Sequence, residues 1–204
     1  MGPAAELRAC RAAVVAAHAG WEATMHGAGI LGLAAMDGAV EGGRGRLRAF
    51  YEELGGCCGR HNPLAMQADL LRLCVLWLWG GVYLDWDMRL APGFEGKPVL
   101  EAFLGERLLL AEWRGGCVGE FVIGAAAREP AIAEVIERFI CGGVARYTLA
   151  GRRFAVASMA LTELATRHGW PVQPADVFSP LDRFGRGAVT ERTRMIHGWG
   201  KVAA

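Results

Sequence analysis

Residues 65–90, AMQADLLRLCVLWLWGGVYLDWDMRL, constrain the fold more than any other stretch. From Leu70 to Trp79 every residue except Arg72 is apolar, and Gly80-Gly81 follows. A run of this length ending on glycine reads as a helix over 64–79, with Pro63 suited to its first turn. A helix apolar nearly all round is expected to be buried. Asp69 and Arg72 are its only charges, three residues apart and therefore on one face. Buried charge is costly unless paired or used, so the two form either an internal ion pair or a binding site.

Val82-Tyr83-Leu84 then reads as a short strand rich in β-formers. It delivers Asp85-Trp86-Asp87, followed by Met88-Arg89-Leu90 and a Pro92-Gly93 turn. Open α/β sheets bind ligands outside the carboxyl ends of their strands. Two carboxylates separated by one residue at such a place are hard oxygen donors for Mg²⁺ or Mn²⁺, ions that often complete their shell with phosphate oxygens. Tyr83 alternates to the face opposite Val82 and Leu84 and reads as packing.

The compound pattern of Asp69, Arg72, Gly80, Gly81, Tyr83, Asp85 and Asp87, with Arg72 13 residues before Asp85, resembles the signature of glycosyltransferase family 32. This is the DXD sugar-binding family, and the catalytic domains of glucosylating bacterial toxins carry a related version. The resemblance implies an α/β fold of the GT-A type, a mixed sheet flanked by helices. It implies metal-dependent transfer of a hexose from a UDP- or GDP-sugar to an acceptor hydroxyl of a glycan, lipid or protein, with retention of anomeric configuration and Mn²⁺ or Mg²⁺ as cofactor. It gives Asp87 the role of direct metal ligand and sets Asp85 nearer the ribose and sugar. Asp69 and Arg72 are implied to grip the donor sugar, and Gly81 and Tyr83 to lie in the nucleotide-sugar site.

The rest of the chain supports the resemblance in part. Residues 4–19 read as an alanine-rich helix stopped by Gly20, and His18-Ala-Gly-Trp21-Glu resembles a passage that follows the family's first helix. Relatives carry a strand before that helix, which helps hold the base. This sequence begins at about the helix, so the fold is expected to lack the first strand, as an N-terminally truncated domain would. Residues 27–43 are weakly patterned and suggest a short helix, and 46–54 read as a better one. Residues 98–103 read as a helical turn. Arg107–Trp113 and Glu120–Ala125 read as strands joined around Gly115-Gly116.

Residues 130–140 and 153–168 read as helices. Glu120 and Glu129 stand where the family has asparagine and histidine. Val172–Pro180 resembles a family strand, and Arg194–Lys201 resembles its closing strand and loop. That loop makes His197 a third metal ligand or phosphate contact, or a structural histidine. Trp199 would contact the diphosphate or cover the core. Glu112, Arg114 and Glu120 are further polar candidates at strand ends.

Composition narrows the field. A chain of 204 residues suits one domain, 1–204. A net charge of +1 gives no electrostatic footprint for nucleic acid. Although 53% of residues are hydrophobic, no uninterrupted apolar stretch reaches the roughly 18 residues of a membrane span, and the N-terminus lacks signal-peptide form. The expected location is the cytoplasm, or the Golgi lumen if an anchor precedes this chain. Six cysteines show no metal-ligand spacing and suit free thiols in a reducing compartment. Two other functions remain open. One is a non-catalytic sugar-nucleotide-binding remnant of the family. The other is a haloacid-dehalogenase-type phosphatase, which would want Thr or Val soon after the second Asp, where Met88-Arg89 stands.

Overall fold

The computed structural model describes residues 12–18, 20–21, 45–56, 63–103, 105–149, 156–181 and 186–197. The expected helix at 27–43 and the position of Trp199 lie outside these residues. The described elements make a mixed α/β fold, as the sequence pattern requires. Helix α1 covers 12–17, α2 Arg46–Gly56 and α3 Pro63–Trp79. Strands β1 (Gly81–Leu84) and β2 (Met88–Leu90) flank the Asp85-Trp86-Asp87 segment. Strands β3 (Leu108–Arg114) and β4 (Cys117–Ala125) follow, then α4 (Pro130–Leu149), α5 (Val156–His168), α6 (Ala175–Phe178) and β5 (Met195–His197).

The strands form two sheets, one of three strands in the order β1-β4-β3 and one a β2-β5 pair. Gly115 and Gly116, with φ of 58° and 82°, link β3 to β4. Two central residues with positive φ give the hairpin turn whose twist matches the flanking strands. Glu112 accepts the Gly116 N–H at 2.9 Å and steadies that turn.

The contacts divide the chain into two compact units. One holds residues 1–24, 83–123 and 171–204, the other residues 25–82 and 124–170. In the second unit, Leu47, Phe50 and Leu54 of α2, Leu70, Leu73 and Leu76 of α3, and Ile132, Ile136 and Phe139 of α4 are buried. Phe50 and Phe139 meet edge to face, with ring centroids 5.5 Å apart. Helix α3 is less enclosed than its composition suggests: Leu64 and Trp79, at its two ends, are exposed. Its buried side is the Leu70-Leu73-Cys74 stripe.

Beyond α3, the chain turns through Gly80 (φ +68°). A β-carbon there would sit 2.5 Å from the Ala127 nitrogen, so only glycine permits both the turn and this close approach. The 126–128 turn is fixed from the same side: Arg128 donates its N–H to the Trp77 carbonyl at 2.7 Å, and its guanidinium lies 3.8 Å from the Trp77 ring centroid. Glu129 accepts the Ala131 N–H, capping α4 just ahead of Pro130. A carboxylate at a helix N-terminus is favoured by the helix dipole, which gives this glutamate a local reason to stand there.

In the first unit, His18 is buried between two backbone groups. Its Nδ1 lies 2.8 Å from the Val14 carbonyl, and its Nε2 accepts the Leu100 N–H at 3.1 Å. It therefore ties the end of α1 to the loop before the 3₁₀ turn at Glu101–Phe103.

The strand expected over Val172–Pro180 is not one. Gln173 forms a single parallel bridge to Ala111, and the chain then turns into α6. Pro174 and Pro180 bracket the segment, and proline can neither donate to a ladder nor continue one. Helix α6 instead anchors the approach to β5. The buried Thr193 donates its hydroxyl to the Asp176 carbonyl at 2.7 Å, and Arg194 donates its N–H to the Val177 carbonyl.

Candidate functional site

Asp85, Asp87 and His197 converge because of two backbone pairings. Asp85 donates its N–H to the Phe121 carbonyl at 2.9 Å, fixing the chain end of β1 against β4. The Asp85 carbonyl then accepts the Met88 N–H at 3.1 Å, closing a four-residue turn with Trp86 and Asp87 in its centre. Strand β2 leaves this turn and pairs antiparallel with β5, in a register that sets Met88 against His197. The imidazole is thereby delivered to the two carboxylates.

The geometry is compact. His197 Nε2 lies 3.1 Å from Asp87 Oδ1 and 3.4 Å from Asp85 Oδ2. One ligand atom from each of the three residues lies within 4.8 Å of the others. The Asp87 and His197 side chains are only 5% and 9% exposed, whereas that of Asp85 is 22% exposed. The ring of Phe121 stacks on His197 at 5.2 Å and 20°. Phe121 thus holds Asp85 through its backbone and His197 through its side chain. Tyr83 donates its hydroxyl to Asp85 Oδ1 at 2.8 Å. Read from alternation alone as packing, Tyr83 orients a carboxylate of the cluster.

Burial lowers the His197 pKa, but hydrogen bonds and charge from Asp85 and Asp87 outweigh it and raise the value to about 9. An imidazolium between two carboxylates and a divalent cation between the same groups satisfy the same electrostatic demand. Two carboxylates and an imidazole form a donor set suited to Mn²⁺ and tolerable for Mg²⁺. Asp85, the most open of the three, leaves the cluster accessible on its side. The residues present therefore fit the metal that the sequence pattern implies.

Asp69 and Arg72 are brought together, within the helical unit. Arg72 Nη2 donates to Asp69 Oδ1 at 2.7 Å, with the side chains 9% and 12% exposed. The single helical turn between them makes the pair. Gly81 opens β1 at the surface. Glu120 is buried on β4 and Glu112 serves the β3-β4 turn.

Sequence comparison agrees with the motif. Residues 48–100, about a quarter of the chain, match the family described as the glycosyltransferase sugar-binding region containing a DXD motif. The match spans Asp69, Arg72, Gly80, Gly81, Tyr83, Asp85 and Asp87, so this stretch of the chain is similar to the DXD-containing region of glycosyltransferases. Among solved structures it is similar to "PaToxG Glycosyltransferase" at 18% identity with a TM-score of 0.39, over 60% of this chain and 46% of that one. The chain thus spans about half the length of that structure. Comparison with curated protein sequences gives no match. No helix of the described residues is long and apolar enough to cross a membrane.

Proposed function

We propose that this protein is a metal-dependent, retaining glycosyltransferase that moves a hexose from a nucleotide sugar to an acceptor hydroxyl. The observation that carries the reading is the convergence of Asp85 and Asp87, both inside the matched DXD region, with His197 from outside it. In this reading the three residues hold Mn²⁺ or Mg²⁺, which when bound offsets the negative charge of the departing diphosphate.

The chain's own groups do the rest. Tyr83, through its hydroxyl, keeps one oxygen of Asp85 engaged and leaves the other to face the cluster. Phe121 covers one face of His197 and excludes water from it. Asp69 accepts hydroxyl donors of the hexose, and Arg72 offers its guanidinium fork to oxygens, each prealigned by the other. Held this way, the sugar is presented in one orientation, which is where positioning contributes most to rate. Gly81 and Trp199 are further contacts of the nucleotide sugar in this reading.

Calorimetric titration of the purified chain with UDP-glucose, UDP-galactose and GDP-mannose, with and without Mn²⁺, tests the proposal. The expected result is Mn²⁺-dependent binding of one donor that Asp87→Ala abolishes. Absence of binding by a folded chain would overturn the enzyme and leave a non-catalytic relative of the family.

A further inference from the structure

We propose that Trp86 is the platform on which a pyranose ring of the acceptor stacks, beside the carboxylates of Asp85 and Asp87. This deepens the glycosyltransferase reading and rests on it.

Trp86 is 57% exposed, although it sits between two residues of a largely buried cluster. Its backbone is not free to swing away. On one side Asp85 is hydrogen-bonded to β4, and on the other Met88, 1% exposed, is paired into the β2-β5 ladder. Trp86 is therefore a central residue of a turn clamped at both ends, so little conformational freedom is lost when a ligand settles on it. An exposed indole on so fixed a stretch of backbone, between two residues of a polar cluster, suits recognition better than folding, since exposure forgoes the burial that a large aromatic usually contributes.

The neighbours choose the ligand. Ionised carboxylates only accept hydrogen bonds. A purely apolar ligand that covered Trp86 and reached Asp85 would desolvate the carboxylate without replacing its water, which is unfavourable. A nucleobase offers a flat face but few donors. A pyranose offers both parts: axial C–H groups that meet the electron-rich face of the indole, and several hydroxyls around the rim to donate to the flanking carboxylates. Asp85 is the more open of the two and is the natural acceptor.

Saturation-transfer NMR tests this with methyl α-glucopyranoside, methyl α-mannopyranoside, methyl β-galactopyranoside and uridine as probes, on wild type, Trp86→Ala and Trp86→Phe. The expected result is transfer to the ring C–H protons of at least one glycoside. That signal falls several-fold in Trp86→Ala and largely returns in Trp86→Phe, while uridine is unaffected by either. Thermal unfolding confirms that the variants fold, and Trp86→Gln replaces Trp86→Ala should that variant not. No glycoside signal from wild type, or an undiminished one in the folded alanine or glutamine variant, overturns the inference. Loss of the uridine signal instead would assign Trp86 to the base and equally overturn it. The donor titration on the same samples separates the two readings. Donor binding without a glycoside effect sinks the platform alone. Glycoside stacking without donor binding leaves Trp86 a sugar platform and removes its acceptor role together with the transferase.

Discussion

Met88 stands directly opposite His197 in the β2-β5 ladder, and that single register contact turns a sequence motif into a cluster. Shifting the pairing by one residue would send His197 to the other face of the strand and separate it from both carboxylates. His197→Ala and Asp87→Ala should therefore each abolish Mn²⁺ binding measured by electron paramagnetic resonance. Tyr83→Phe keeps all three ligands and removes only the hydroxyl that orients Asp85, and should weaken binding by roughly tenfold, as outer-shell changes do. Unchanged affinity in Tyr83→Phe would show that this hydrogen bond does not serve the cluster.

In the proposed metal site, a proton and the metal would compete for His197. With the ion removed by chelator, the imidazole has its pKa raised from 6.5 to about 9, the two carboxylates overcoming the opposing effect of burial. Because the folded-state value lies above the unfolded one, this interaction stabilises the fold fully below about pH 6.5, and the contribution fades as pH rises through about 9. Its size is on the order of a few kcal/mol. Chelated wild type should thus lose thermal stability between pH 7 and 9.5 more steeply than His197→Gln. Mn²⁺ affinity should run the other way, strengthening over the same range as the imidazole sheds its proton. Parallel curves for wild type and His197→Gln would remove the basis for both statements.

The Asp69–Arg72 pair lies almost out of water, where breaking a buried ion pair by removing one member costs about 3–5 kcal/mol. Asp69→Ala and Arg72→Ala should each lower the urea midpoint substantially. The neutral pair Asp69→Asn with Arg72→Met should recover much of that stability while failing to bind donor. Full donor binding by the refolded neutral pair would make this a purely structural ion pair.

Thiol reactivity should sort the described cysteines. Cys74 is fully buried on α3, and burial pushes its thiol up to about 12, whereas Cys117 and Cys141 are exposed. Reaction is carried by the thiolate. Mass spectrometry after brief alkylation at pH 8 should find Cys117 and Cys141 modified and Cys74 untouched until denaturant is added. Rapid labelling of Cys74 in the folded protein would mean that α3 opens readily.

His18→Ala would leave the Leu100 N–H, now bonded to Nε2 at 3.1 Å in a buried place, without its acceptor. An orphaned buried donor costs about 1–3 kcal/mol. A drop of that order in unfolding free energy is expected, with Mn²⁺ binding unchanged. An unaltered denaturation midpoint would show that α1 contributes little to its unit.

Much of this could be read from residue order because it is local. The α3 helix, its glycine stop, β1 and the Asp85-Trp86-Asp87 turn are set by consecutive residues, and the Asp69–Arg72 contact follows from helical spacing. Strand β2 was not legible: three residues, Met88-Arg89-Leu90, carry no periodicity, and only pairing with a distant segment makes them a strand. His197 could be suspected but not placed for the same reason. Alternation put Tyr83 on the opposite face, yet a long phenol reaches a carboxylate two residues on, and face assignment says nothing about that reach. Over Val172–Pro180 the resemblance to a family strand implies a strand, but the two prolines deny it a ladder. Glu129 departs from the family pattern, and residue order does not show the local role that its oxygen takes on the Ala131 N–H.

The β2-β5 ladder also has a consequence in time. Its two halves are made far apart in synthesis, so a nascent chain carries both aspartates long before the histidine that completes them emerges. Until then the acidic turn has no imidazole to offset it, and closing so long a loop is slow relative to local helix formation. Arrival of β5 is the event that makes the cluster of Asp85, Asp87 and His197 whole.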